Sequence, residues 1–214
     1  MATRRVSAEP LAVDLAVLAK APRPGRVKTR LIPALGAEGA ARLQRRLLLH
    51  TLVVAQASGL GLQLWGEPAE ARFFRALAQA TGLVCRPQPP GDLGQRMQAI
   101  FAAQARTRGR PLVLIGSDCP AFTPQHLRQA AERLLAGDTA VFTPAEDGGY
   151  VLVGLQRPQP ELFEGVAWST PQVMDQTRER LRALEMRWSE LPALWDLDTP
   201  EDLPRWQALS KGLS

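Results

Sequence analysis

Cysteine is scarce in this 214-residue chain. Cys85 and Cys119 stand far apart, with no CxxC and no histidine pair beside either, which excludes a disulfide framework and provides no zinc-ligand spacing. Both are expected to be buried free thiols. Histidine is equally sparse: His50 and His126 fall on predicted helices without HExxH spacing, so surface or packing positions are expected. The apolar stretch that follows residues 1 to 10 is interrupted by Asp14 and is too short and too charged to span a membrane. Residues 1 to 10 lack the long apolar segment and small-residue cleavage site of a secretory signal, so a flexible N-terminal segment and a cytoplasmic location are the expectations. Aromatic residues make up only 6% of the chain, leaving little for base stacking. No nucleic-acid reading motif is present either, and nucleic acid is not an expected partner. GxxxxGK[ST] and a GxSxG around Ser169 are both missing, which argues against a Walker A loop and a serine hydrolase. Nor is there an internal repeat, a low-complexity segment or a linker. The expectation is one domain over residues 11–209, with a tail at 210–214.

The hydrophobic fraction of 45% suits a folded globule with a sizeable core. A net charge of +5 and an isoelectric point near 10.0 permit anionic partners without selecting one. Arginines at 42, 45, 46, 128, 133, 178, 180 and 182 lie in helical patterns and read as solvated faces. Hydrophobic periodicity alternates between strand and helix. Strands are expected at Leu11–Leu18, Leu62–Trp65, from Val84, at Leu112–Ile115, Ala140–Thr143, Tyr150–Leu155 and Met186–Leu191. Helices are expected over Glu38–Gln56, residues 69 to 81 and Leu93–Ala105. Three further helix starts are marked by Thr123-Pro124, Thr170-Pro171 and Thr199-Pro200, pairing an N-cap residue with the imino acid suited to the first turn. Asp202 completes a capping-box pattern with Thr199. The continuous apolar run LVLI at Leu112–Ile115 suits a central parallel strand covered on both faces.

The richest segment is Lys20–Leu31, KAPRPGRVKTRL, directly after the first strand. Pro22, Pro24 and Gly25 forbid a helix and give an irregular backbone whose N–H groups suit an anion, while Lys20, Arg23, Arg26, Lys28 and Arg30 supply charge. A solvated basic turn is the alternative. Further polar residues follow other strand ends, where ligands bind in open α/β sheets. Ser117-Asp118 follows LVLI, Glu146-Asp147-Gly148-Gly149 follows VFTP, and Trp195-Asp196-Leu197-Asp198 precedes the last helix. A carboxylate immediately after a buried strand, as at Asp118, can reach a metal without a flexible arm, and Mg²⁺ needs only one or two such carboxylates beside substrate phosphates. For Asp118 the alternative is a turn or cap role, and for Asp198 a bond to the backbone before the last helix. Asp147 suits a general base or a turn, Gly148 and Gly149 a close ligand approach or a tight turn. Gln88–Met97, QPPGDLGQRM, suits a loop that contacts a base or ribose, or one in which Asp92 simply caps the next helix. Trp168-Ser169-Thr170 suits the wall of an acceptor pocket.

Taken in order, KAPRPGRVKTRL, QPPGDLGQRM, IGSDCPAFTPQHL, TPAEDGGYVLVGL, FEGVAWST and WDLDTPEDL resemble the bacterial DUF2064 family of glycosyltransferase-A-like proteins, over roughly residues 11 to 206. The resemblance implies a three-layer α/β/α nucleotide-diphospho-sugar transferase (GT-A) fold with a mixed, mostly parallel central sheet. It also implies kinship with 2-phospholactate guanylyltransferases and molybdenum-cofactor nucleotidyltransferases. Carried onto this chain, it implies that Lys20, Pro22, Gly25, Lys28 and Arg30 attend the nucleotide phosphates and that Gly91, Asp92 and Gly94 lie near the nucleoside. Asp118 and Asp198 would hold Mg²⁺ or Mn²⁺. Asp118 stands in SDCP, not in a DxD motif, and the first loop lacks GxGxR.

The expected activity is transfer of a glycosyl group from a nucleotide sugar to a small-molecule acceptor. Asp118, Asp147 and Lys28 are its catalytic candidates, and Gly148, Gly149, Trp168, Ser169 and Thr170 its acceptor contacts. A nucleotidyltransferase that uses a nucleoside triphosphate is the alternative, and a non-catalytic nucleotide-binding protein a further one.

Overall fold

The computed structural model describes residues 11–211. The expected flexible segment 1–10 and residues 212–214 of the expected tail lie outside the described residues. The elements run β1 (Asp14–Lys20), α1 (Ile32–Ala57), β2 (Gly61–Glu67), α2 (Arg72–Thr81), β3 (Cys85–Pro87), α3 (Leu93–Thr107), β4 (Leu112–Gly116), α4 (Pro124–Leu135), β5 (Ala140–Pro144), β6 (Tyr150–Leu155), α5 (Val173–Ala183), β7 (Trp188–Glu190) and α6 (Leu203–Lys211). Short 3₁₀ turns stand at Thr29–Leu31, Pro160–Leu162 and Pro200–Asp202.

The strands form one sheet in the order β3-β2-β1-β4-β6-β5-β7. β6 runs antiparallel to both of its neighbours, and every other paired strand is parallel. The fold is therefore the expected mixed, mostly parallel α/β arrangement. LVLI is central and buried, but it is parallel only to β1, because β6 flanks its other edge.

Side-chain alternation along the strands divides the core. Leu15, Val17, Val113, Ile115 and Leu152 face α1, α2 and α4, where Leu48, Leu52, Phe74, Leu127 and Leu134 meet them. Ala16, Leu18, Leu114, Phe142 and Val153 face α3 and α5, packing on Met97, Ile100, Phe101, Met174 and Leu181. A third cluster joins Leu31, Leu43 and Leu47 to Trp195, Leu197 and Trp206. It fastens the loop after β1 to the segment before α6. Asp14, fully buried at the opposite end of β1, accepts hydrogen bonds from the amides of Gln63 and Gln104 and pairs with Arg108 at 3.4 Å.

Several boundaries differ from expectation for local reasons. β1 begins at Asp14 and extends to Lys20, carrying the strand into the basic loop. α1 starts at Ile32, and Gly36, at φ 68° and ψ 165°, breaks its first turn from the long helix that follows. Thr123 caps α4 by accepting the His126 N–H, and Asp202 accepts the N–H groups of Asp198 and Thr199. Thr170 does not cap a helix: its hydroxyl donates to the Ala167 carbonyl and α5 begins at Val173. Cys119 is buried and Cys85 partly so, with burial pushing their thiols up to about 12 and about 11. His126 is buried against the Thr143 hydroxyl, and His50 contacts the Pro120 carbonyl. Among the described residues no helix is long and apolar enough to cross a membrane.

Candidate functional site

A cavity of about 660 Å³ opens at the carboxyl ends of β1 and β4 and reaches down to the first turns of α3. That position follows from the topology, since neighbouring parallel strands deliver their following loops to the same edge. Leu31 and Leu197 are fully buried in the same apolar cluster, so the basic loop and the WDLD segment are held side by side. The backbone adds a second fastening, because the Leu197 N–H donates to the Asp118 carbonyl at 2.9 Å.

Lys28 is the focus of this junction. It adopts the left-handed backbone region at φ 47° and ψ 44°, a conformation that costs a non-glycine residue energy and persists only when its surroundings enforce it. Its side chain is 3% exposed, and its ammonium lies 2.9 Å from Asp118 Oδ1, 3.2 Å from Asp198 Oδ1 and 2.5 Å from the Leu197 carbonyl, to which it donates. Burial by itself lowers the pKa of an ammonium. Here the attraction of Asp118 and Asp198 outweighs that and holds Lys28 above the ordinary lysine value. Arg30 pairs with the other oxygen of Asp198 at 3.1 Å.

Asp118 and Asp198 keep 48% and 43% of their side-chain surface open. Oδ1 of Asp118 is buried, and among the described residues it meets only the Lys28 ammonium. The end of β4 is fixed from behind by Gln44, whose amide donates to the Ser117 hydroxyl at 3.1 Å. Asp196 also lines the cavity, and its carboxyl is pushed up to about 6, first by burial and then by the charge of Asp147.

Of the residues singled out in the sequence, Lys20, Lys28, Arg30, Gly91, Asp92, Asp118 and Asp198 line this one cavity. Asp92 also caps α3: it accepts the Gln95 N–H, and the Gln95 side chain accepts the Asp92 N–H in return. Pro22, Gly25, Gly94, Asp147, Gly148, Gly149, Trp168, Ser169 and Thr170 are not among its lining residues. Gly94 lets α3 press against Trp168, since a Cβ there would stand 2.7 Å from the indole, and Tyr150 meets the same indole edge-on. Gly148, at φ 91°, passes so close to Pro171 that a Cβ would stand 2.2 Å from its carbonyl oxygen. Asp147 is exposed and accepts the Gly149 N–H.

The cavity also includes Arg96, Gln88, Asp196 and Tyr150, which were not singled out as site residues. Arg96, Gln88 and Asp196 stand inside motifs read for other members. In QPPGDLGQRM the glycines and Asp92 carry the sequence signal, and Arg96 has none of its own. Tyr150 gave no signal apart from being the only tyrosine in the chain.

Residues 50–170 match the family described as an uncharacterized protein conserved in bacteria, DUF2064. No curated protein matches the sequence. Among solved structures, a candidate nucleotide-diphospho-sugar transferase from Desulfovibrio desulfuricans G20 is similar with a TM-score of 0.80 and 26% identity, covering 94% of this chain and 97% of that one. A 4-diphosphocytidyl-2C-methyl-D-erythritol synthase from Anaerococcus prevotii DSM 20548 has the same fold at a TM-score of 0.62 and 9% identity, covering 94% and 97%. So does CMP:2-keto-3-deoxy-manno-octonic acid synthetase, a structure complexed with CTP, at 0.58 and 12%, covering 94% and 99%.

Proposed function

The chain belongs to the DUF2064 family, and on that premise we propose that it is a transferase acting on a nucleotide-activated substrate whose phosphates lie over the loop after β1. One observation carries this reading: Lys28, buried between Asp118 and Asp198, forms a preorganised charge cluster in a cavity bordered by further cations. The similarity to a candidate nucleotide-diphospho-sugar transferase supports it.

The leading reaction is glycosyl transfer. The acceptor hydroxyl oxygen attacks the anomeric carbon, the bond from that carbon to the nucleoside diphosphate breaks, and the diphosphate leaves with the electron pair. Lys20, Lys28 and Arg30 meet the charge that develops there; fixed positive charge at a leaving group is worth several kcal/mol in such sites, on the order of 3. We propose that the acceptor approaches from the flank of Gly148, Gly149, Trp168, Ser169 and Thr170, which do not line the cavity but adjoin it through the Trp168–Tyr150 contact, with Asp147 taking the acceptor proton.

Asp118 and Asp198 suit a divalent cation. Both are half-open to the cavity, and Oδ1 of Asp118 has no partner besides Lys28 among the described residues. No group of three or more His, Cys, Asp or Glu side chains able to hold a metal occurs among the described residues, so substrate oxygens would complete the shell. Bound there, Mg²⁺ or Mn²⁺ supplies Lewis-acid polarisation of phosphate oxygens.

A second reading, nucleotidyl transfer, is favoured by the number of unpaired cations. Lys20, Arg23 and Arg26 have no ion-pair or hydrogen-bonding side-chain partner among the described residues, which suits a triphosphate that loses pyrophosphate. In that case an acceptor phosphate oxygen attacks the α-phosphorus and the α–β bridge breaks.

Purified protein should be stabilised by nucleoside triphosphates or nucleotide sugars in thermal-shift assays with and without Mg²⁺ or Mn²⁺. Candidate acceptors should then release nucleoside diphosphate for glycosyl transfer or pyrophosphate for nucleotidyl transfer. Lys28→Met is expected to lower turnover at least about 100-fold, as losing one preorganised donor does. A folded Lys28→Met protein with full activity would remove the basis of the proposal.

A further inference from the structure

The cavity has two chemically different ends. Around Lys28 it is charged, whereas toward α3 its floor is apolar, backed by the largely buried Leu18, Leu114, Val153 and Met97. An apolar slot beside a phosphate-binding loop suits a flat, weakly polar ring, and Arg96 on α3 borders it.

Arg96 is held by three acceptors. Its Nε donates to the Gly91 carbonyl at 2.9 Å, and its Nη1 donates to Glu67 Oε2 and to Gln88 Oε1 at 3.1 Å. Gln88 is itself fixed, because its amide donates to the carbonyls of Ala19 and Trp65 on the two adjoining strands. The guanidinium is thus anchored to β1, β2 and the loop before α3, with 24% of its side chain exposed. Its Nη2 has no partner among the described residues. Lys20 and Arg26 have no ion-pair partner among the described residues, whereas the charge of Arg96 is already balanced by Glu67. What Arg96 still offers is a directional donor pair at a fixed position, which suits selection among neutral groups more than attraction of phosphate.

We propose that Arg96 is a specificity-determining residue that reads the nucleobase, and that the base it accepts carries an exocyclic carbonyl oxygen. This inference rests on the nucleotide reading of the site. A donor-only group pairs with an exocyclic base carbonyl such as guanine O6, uracil O4 or a pyrimidine O2, whereas adenine presents an amino group in place of O6 and accepts only through its ring nitrogens. An anchored donor facing the wrong group leaves a polar pair unmade on both sides, which is how a rigid polar site rejects a near relative of its ligand.

Titration calorimetry with GTP, CTP, UTP and ATP on the wild type and on Arg96→Gln tests it, with Arg96→Lys as a second variant that keeps the charge and loses the fork. At least one carbonyl-bearing nucleotide should bind the wild type 10-fold or more tightly than ATP. Both variants should weaken that nucleotide about 10-fold and leave ATP within about 2-fold, each 10-fold step being about 1.4 kcal/mol. Equal binding of all four nucleotides by the wild type overturns the base-reading role and leaves the nucleotide site standing. The same is true of an equal loss for all four in Arg96→Gln, which marks a phosphate contact. Binding of none of them overturns the parent reading together with this one. Circular dichroism of both variants establishes that a loss does not come from unfolding.

Discussion

Asp196 is the one carboxyl of the cavity pushed up to about 6, and the causes rank with burial first and the negative charge of Asp147 second. A carboxyl whose folded pKa lies above its unfolded value of about 3.9 favours the native state when protonated. That contribution is fully present below the unfolded pKa and is lost as pH rises through about 6. Replacing Asp196 with Asn removes the ionisation while keeping the shape. The variant should therefore melt higher than the wild type at pH 8 and close to it at pH 4, measured by calorimetry across that range; equal melting temperatures at both ends would refute the assignment. Residues of this kind show what the sequence conceals. Asp118 and Lys28 are legible because a strand end and a proline-glycine loop announce them, but a perturbed carboxyl depends on neighbours as far along the chain as Asp147. Arg96 is hidden for the same reason, since Glu67 and Gln88 come to it from β2 and from beyond β3.

The segments around the cavity are held by close backbone approach as much as by side chains. The turn between β5 and β6 places the Gly148 carbonyl where it accepts the Met174 N–H in the first turn of α5, and the Gly148 Cα faces Pro171. An alanine at Gly148 would combine a φ of 91° with a Cβ 2.2 Å from a carbonyl oxygen. The strain and the displaced loop should cost about 2–4 kcal/mol, read as the loss of unfolding free energy in urea. A loss under about 0.5 kcal/mol would mean that the turn yields freely and does not position the 163–172 loop. The sequence pattern anticipates a tight turn at PAEDGG but not its contact with Pro171. It also misplaces the start of α5: the Thr170 side chain turns back to donate to the Ala167 carbonyl, and the helix begins only at Val173. Thr123-Pro124 caps as its residues suggest.

For the whole molecule, alternating hydrophobic periodicities are enough to indicate layered α/β architecture, since each element's apolar face follows from its own residues. Strand order and the reversed direction of β6 are not legible in this way, because they depend on which buried faces meet across the sheet. The net charge of +5 is similarly uninformative until its distribution is known. Arg178 pairs with Asp175 and Glu190, Arg187 with Asp138, and Arg205 with Glu146 while stacking on Trp195. Lys20, Arg23 and Arg26 have no such partners among the described residues, and Lys20 and Arg26 border the cavity. Part of the charge left without an ion pair therefore lies where phosphates are proposed to bind, and ionic strength should act on that step. Screening shortens from about 10 Å at 0.1 M salt to about 3 Å at 1 M. The dissociation constant of a nucleoside triphosphate should rise on the order of tenfold over that range, while that of the matching nucleoside stays nearly constant. Lys20→Gln combined with Arg26→Gln should flatten the triphosphate slope and leave the nucleoside unaffected. If triphosphate affinity does not respond to salt, the free cations of the first loop are not what holds the phosphates, and the buried Lys28 cluster must do so alone.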